Sequence, residues 1–195
     1  MRPRVIPRAA AVAACALTIP LADADAAVLK KRMHVRVGNK AAVIGSAQPG
    51  VAALQVRRRG RWRTIARDRM TATGRYVLRD RVRRPMSLSA RLSVNGVKRR
   101  IGRLNGYRRA HASWYGPGLY GNRLGCGGTL TPRKLGVAHK TLPCGTKVRL
   151  RHRGHTVTVR VIDRGPYVAG REFDLTERTA RRLHFRGHGT ILTTR

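Results

Sequence analysis

Acidic residues are the scarcest chemistry in this sequence: 195 residues carry 8 Asp and Glu against 43 Lys and Arg, a formal net charge of +35. A field of that sign attracts polyanions of any kind, nucleic acid, anionic lipid or anionic wall polymers, and chooses among them by no means of its own. Aromatic residues make up only 5%. Together with the Arg and Ala bias, this is also what a G+C-rich genome produces, so charge alone identifies no partner. Other absences are sharper. No apolar run beyond the N-terminus approaches the roughly 20 residues of a membrane span, which excludes a later transmembrane helix. No CxxC or HExxH spacing is present, so neither metal nor cofactor is expected. No DNA- or RNA-binding motif is recognisable, which excludes specific nucleic-acid binding while leaving weak, salt-sensitive binding as a by-product of charge.

What is present begins with an address. "MRPRVIPR" is cationic, "AAAVAACALTIPLA" is apolar, and "ADADA" offers small-x-small cleavage sites, the tripartite order of an export signal over residues 1–27. A second reading takes "VAAC" as a lipoprotein box with a lipid on Cys15, but "ALTIPLA" follows where a lipoprotein turns polar. Loss of Cys15 with the signal leaves Cys126 and Cys144, an even pair that in an exported chain reads as one disulfide. A metal site shared with some of the seven histidines, or a catalytic thiol, are the competing readings.

Residues 28–105 show short alternating runs broken by turn signals, among them "MHVRV", "AAVIGSA", "VAALQVRRRG", "RWRTIARD", "GRYVLRD" and "MSLSARLSV", then "NG" before "VKRRIGRL". The pattern predicts a small antiparallel β-sandwich, and the segment resembles the immunoglobulin-like modules of exported bacterial proteins. Asp68 and Asp80, each set among arginines, read as solvated turn residues, so a binding or spacing role is expected here. "NGYRRA" reads as a polar joint, with residues 106–110 as linker and a second domain over 111–195.

Half of all the acidic residues, Asp163, Glu172, Asp174 and Glu177, fall between Val161 and Leu183. "KVRLRHRGHTVTVRVID" predicts a hairpin turning at Arg153-Gly154, which leaves Asp163 at a strand end before "RGP". "FDLTERTARRLHF" predicts a short helix: Thr176 as N-cap, Glu177 at the positive end of the dipole, Ala180 and Leu183 inward, Arg181 and Arg182 in the last turn. Helix electrostatics account for Glu177, and neighbouring arginines for Glu172. Asp163 and Asp174 have no such local account, which leaves an ion-pair partner or an acid-base group as alternatives.

"ASWYG" (residues 112–116), "GVAHKTLPCGTKVRL" (136–150) and "VRVIDRGPYVAGREFDLT" (159–176) resemble, in order and spacing, the rare lipoprotein A family. The resemblance covers residues 111–195. It implies an all-β six-stranded double-psi β-barrel with one short helix, related in fold to expansins and some cellulases, and endolytic transglycosylase activity on peptidoglycan glycan strands. It further implies His139 and Asp163 as catalytic residues, and Asp174 at the position of the cellulases' acid. Tyr115, Trp114, Thr141 and Tyr167 complete the expected substrate contacts, with Trp114 and Tyr115 flooring a groove by stacking on sugar faces. The family's usual "TANGE…TAAH" run is replaced by "CGGTLTPRKLGVAH", with Cys126 and Cys144 clamping two loops together. The C-terminal glycan-binding repeat domain of some family members is not expected here, which leaves the preference for denuded or peptide-bearing strands open and the N-terminal sandwich and positive charge as alternative anchors.

The implied reaction needs no activated water. The muramyl C6 hydroxyl attacks C1, and one carboxyl group, assigned to Asp163, protonates the leaving oxygen and then accepts the hydroxyl proton. His139 would hydrogen-bond Asp163 or polarise the substrate, and Arg164 should point away from Asp163 along the strand. The expected molecule is an exported monomer acting on the wall. The alternative is a non-catalytic, expansin-like glycan binder.

Overall fold

The computed structural model describes residues 27–195. The expected export signal and the lipid site at Cys15 lie outside the described residues, except that Ala27 opens the first strand. No helix among the described residues is long and apolar enough to cross a membrane. The described residues are mostly strand, with one short helix.

In the first half these are β1 (Ala27–Arg32), β2 (His34–Arg36), β3 (Lys40–Ser46), β4 (Gly50–Arg58), β5 (Arg61–Met70), β6 (Arg75–Arg81), β7 (Met86–Val94) and β8 (Val97–Tyr115). β1, β3 and β6 form one antiparallel sheet, while β5, β4, β7 and β8 follow one another in a second. The alternation seen in sequence places Val43, Tyr76 and Leu78 of the first sheet and Leu54, Leu92 and Leu104 of the second in one buried cluster. Two hairpins close on residues with left-handed backbone, Arg59-Gly60 (φ +46° and +77°) and Asn95-Gly96 (φ +47° and +88°). Positive φ at both central positions matches the twist of the flanking strands.

Two expectations differ here for local reasons, and one strand carries no signal in the sequence. β1 shows no alternation, every residue in it being exposed, so hydrophobic periodicity could not reveal it. Asp68 and Asp80 are not turn residues: they lie within β5 and β6, on the half-buried side between outward arginines, and Asp68 Oδ2 accepts from the Val77 amide at 2.7 Å. The residues expected as a linker, 106–110, lie within a strand. β8 runs through them unbroken, pairing with β7 as far as Gly106 and with a later strand from Arg108 onward. Tyr107 at the changeover is buried and its hydroxyl meets His34 Nδ1 at 3.0 Å. Gly106 is required there, since a Cβ would come within 2.3 Å of Val82 Cγ1 and 2.9 Å of the Arg84 carbonyl oxygen.

The second half contains β9 (Val137–Ala138), β10 (Lys147–His152), β11 (His155–Asp163), β12 (Phe173–Thr176), α1 (Glu177–Arg182) and β13 (Gly189–Thr193). The strands follow the order β12-β9-β11-β10-β13-β8, and a further parallel pairing of β12 with β8 returns the path to its start. β9 and β11 form the other parallel pair. The hairpin of β10 and β11 turns on Arg153-Gly154 (φ +43° and +90°), with Val148 opposite Val159. Val148, Leu150, Val161, Phe173, Leu175 and Ile191 fill the interior, each of the larger side chains contributing about 2 kcal/mol by leaving water. Thr176 caps α1 by accepting from the Thr179 amide, Glu177 sits in the first turn, and Arg181 and Arg182 in the last.

Candidate active site

β11 ends at Asp163, and the ending is held from outside the strand. Oδ1 of Asp163 accepts from the amides of Gly125 at 2.7 Å and Arg164 at 2.8 Å. Gly125 is fixed in turn, because its neighbour Cys126 donates its amide to the Ile162 carbonyl at 3.2 Å and is bonded to Cys144, with Cα atoms 5.6 Å apart. The expected disulfide therefore clamps the loop that orients the carboxylate. Arg164 turns away, as strand alternation requires, and donates to the carbonyls of His139 (3.2 Å) and Leu142 (2.8 Å) and to Cys144 Sγ (2.9 Å). No arginine pairs with Asp163 among the described residues, and the side chain that faces its carboxylate is the Tyr115 phenol. Replacing both cysteines by serine is expected to lower stability by about 3 kcal/mol, measured by denaturant unfolding against the oxidised parent. An unchanged midpoint would mean that the loops hold without the bond.

His139 follows β9, which pairs with the end of β11. Its amide donates to the Asp163 carbonyl at 3.2 Å, so the two backbones touch. The side chains do not bond to each other. Nδ1 of His139 accepts from the amides of Thr141 (3.1 Å) and Leu142 (3.0 Å), and the ring tilts against Phe173 at 4.9 Å between centroids. A ring that accepts at Nδ1 is neutral and carries its proton on Nε2. Burial likewise lowers its pKa, against the opposing pull of Glu172, whose Oε1 lies 3.7 Å from Nε2. Glu172 is itself gripped by Arg108 through both carboxylate oxygens. Since the Glu172 charge favours imidazolium, Glu172→Gln should move the His139 titration to still lower pH, readable in its NMR ring shifts. An upward move would contradict the assignment.

Asp174 reaches the same region from β12, whose parallel pairing with β8 sets it opposite Ser113. Ser113 Oγ donates to Asp174 Oδ1 at 2.9 Å. Burial raises the pKa of Asp174 and the charge of Asp163 adds to this, while Ser113 and Arg171 oppose it. Two residues along β8 on the same face stands Tyr115, its hydroxyl buried and without a hydrogen-bond partner in normal geometry. Burial pushes its ionisation far up, and the nearby carboxylates of Asp163 and Asp174 push it further. The buried carboxyl of Asp174 thus stands near a neutral phenol and near the carboxylate of Asp163. Carboxyls and a phenol gathered in this way are the group types that acid-base chemistry uses.

The remaining expected contacts divide. Thr141 is exposed and contributes its amide to His139. Tyr167 is 83% exposed just beyond the Asp163 turn. Trp114 does not join Tyr115: adjacent strand residues face opposite ways, and it lines a separate pocket of about 330 Å³ with Glu177, Arg181 and Phe185 of the α1 region. The shared floor of Trp114 and Tyr115 is therefore not formed. Sequence reasoning missed Ser113, Arg108 and the Gly125 amide. Only Ser113 carried a signal, being in alternate register with Tyr115 within "ASWYG".

Residues 108–194 match the model of a family described as lytic transglycolase. Curated relatives are similar over the same part. A protein named probable endolytic peptidoglycan transglycosylase RlpA from Synechocystis is 43% identical over 84 residues, 41% of this chain and 26% of its own length. One of the same name from Aquifex aeolicus is 37% identical over 103 residues, 52% and 44% of the two chains. The endolytic peptidoglycan transglycosylase RlpA of Campylobacter jejuni is 44% identical over 81 residues, 40% and 30%. The chain thus spans less than half the length of each of these relatives.

Proposed function

We propose, from the match of residues 108–194 to the lytic transglycolase family model and the similarity of this part to the curated relatives, that this protein is an exported enzyme which cuts peptidoglycan glycan strands and leaves 1,6-anhydro-muramyl ends. The observation that carries the reading is the anchoring of Asp163: one oxygen is fixed by two backbone amides, the Tyr115 phenol stands beside the carboxylate, and among the described residues no arginine pairs with it. In this mechanism the carboxyl of Asp163 gives its proton to the glycosidic oxygen as the C1–O bond breaks. The muramyl C6 hydroxyl then closes on C1 and returns its proton to Asp163, so the group ends as it began. Asp174 and Tyr115 shape the neighbourhood and position sugar, His139 offers Nε2–H as a donor, and Thr141 and Tyr167 edge the approach. The closed strand path of β8 to β13 supports a six-stranded double-psi β-barrel, and the two sheets of residues 28–105 an immunoglobulin-like sandwich, with the boundary falling inside β8. Peptidoglycan is the partner and the cell wall the place of action.

Mass spectrometry of purified sacculi digested with the protein tests this. Anhydro-muramyl products are expected. Reducing-end products would indicate hydrolysis, and binding without any release would favour the non-catalytic glycan binder.

A further inference from the structure

We propose that a basic groove running from the first half of the chain onto the second binds a linear anionic polymer of the cell wall, one built on sugar or polyol units with repeated phosphate groups. A pocket of about 720 Å³ is edged by Arg58, Arg59, Arg61, Arg63 and Arg84. A second, about 580 Å³, is edged by Arg103, Lys147, Arg149 and Arg195. Both open on Met86 and Leu88 of β7, so the two form one track. No acidic residue among the described residues lines either. The guanidiniums that are engaged use neutral acceptors: Arg103 the Ser87 and Ser89 hydroxyls, Arg149 the Thr158 hydroxyl, Arg195 the Lys147 carbonyl. Arg58 lines one pocket and Arg149 the other, and Nε of each is buried without any hydrogen-bond partner among the described residues. Asp80 feels Arg58 through space but lines neither pocket.

Cations that line a concave track and lack acidic partners are complementary to a chain of anions, each of which would gain charge-assisted hydrogen bonds there. The lining also selects among polyanions. Single-stranded nucleic acid is held by aromatic faces on which bases stack, and neither pocket contains an aromatic residue. Trp62 on β5 is already covered by Arg91, 4.3 Å from its ring centroid. A floor of Ile65, Met86 and Leu88 suits the carbon backbone of a sugar or polyol chain between its charges. That the polymer belongs to the wall rests on the proposed function, whereas anion binding by the groove does not.

Fluorescence anisotropy of labelled poly(glycerol phosphate) with the whole protein tests the proposal. Binding should weaken steeply with salt, and Arg58→Gln with Arg149→Gln should cost at least about tenfold in affinity. Arg75→Gln with Arg81→Gln, an equal loss of charge on β6 away from the groove, should cost less than about threefold. Both variants should cleave polymer-free glycan at the parental rate, which keeps anchoring and cleavage as separate readouts. Equal losses in the two variants, or tighter binding of a single-stranded oligonucleotide than of the phosphate polymer, would overturn the proposal.

Discussion

Asp163→Asn is expected to reduce release of anhydro-muramyl ends by at least about a hundredfold, the range contributed by a positioned acid-base group, while folding and sacculus binding persist. The amide keeps an oxygen to accept from the Gly125 and Arg164 amides, so the turn after β11 retains its anchors. It cannot pass a proton to the leaving oxygen or take one from the C6 hydroxyl. Initial rates of muropeptide release, taken beside a thermal melt, separate chemistry from folding. Parental cleavage by this variant would remove Asp163 from the mechanism.

Asp174→Asn should act in two directions at once. Activity should fall by roughly tenfold to a hundredfold through lost positioning, less than for Asp163. Stability should rise at neutral pH. A carboxyl whose folded pKa is raised, here chiefly by burial, contributes stability that is complete below its ordinary value and is lost as pH rises through the folded value. At neutral pH the parent therefore holds a poorly solvated charge that the amide removes, and Ser113 keeps an oxygen to bond. Denaturant unfolding at several pH values should show the advantage of the variant shrinking toward acid. A cleavage loss as complete as that of Asp163→Asn would mean that both carboxyls are required and would reopen simple hydrolysis.

The parts of this protein that could be read from sequence are those set by neighbours along the chain. The β10–β11 hairpin was legible because valines alternate across a turn whose Arg-Gly pair takes the left-handed backbone, and α1 because Thr176, Glu177 and the two arginines lie within one cap-to-cap span. The cysteine pair was legible from parity and compartment. The grip of Arg108 on Glu172 was not, since 64 residues separate them and nothing local marks the partner. The same holds for the Gly125 amide, where the chemistry belongs to the backbone and the residue name carries none of it. Trp114 differs in kind: the alternation that reveals the strands also sets adjacent residues on opposite faces, and Trp114 accordingly lines a pocket beside α1.

The unbroken course of β8 has a consequence for how the two halves tolerate insertions and deletions. A linker absorbs added residues by looping out, but a strand counts them in twos, because each residue advances about 3.3 Å and reverses the face presented. One residue added between Tyr107 and Ser113 would bring Trp114 to the side that now holds Ser113 and Tyr115, and would send those two toward α1. Two added residues would restore the faces but shift the Asp174 partner by one full repeat along the parallel pairing of β8 with β12. The distance from the basic groove to the carboxyl pair is thereby quantised, and the order of halves in this chain is coupled to a single register.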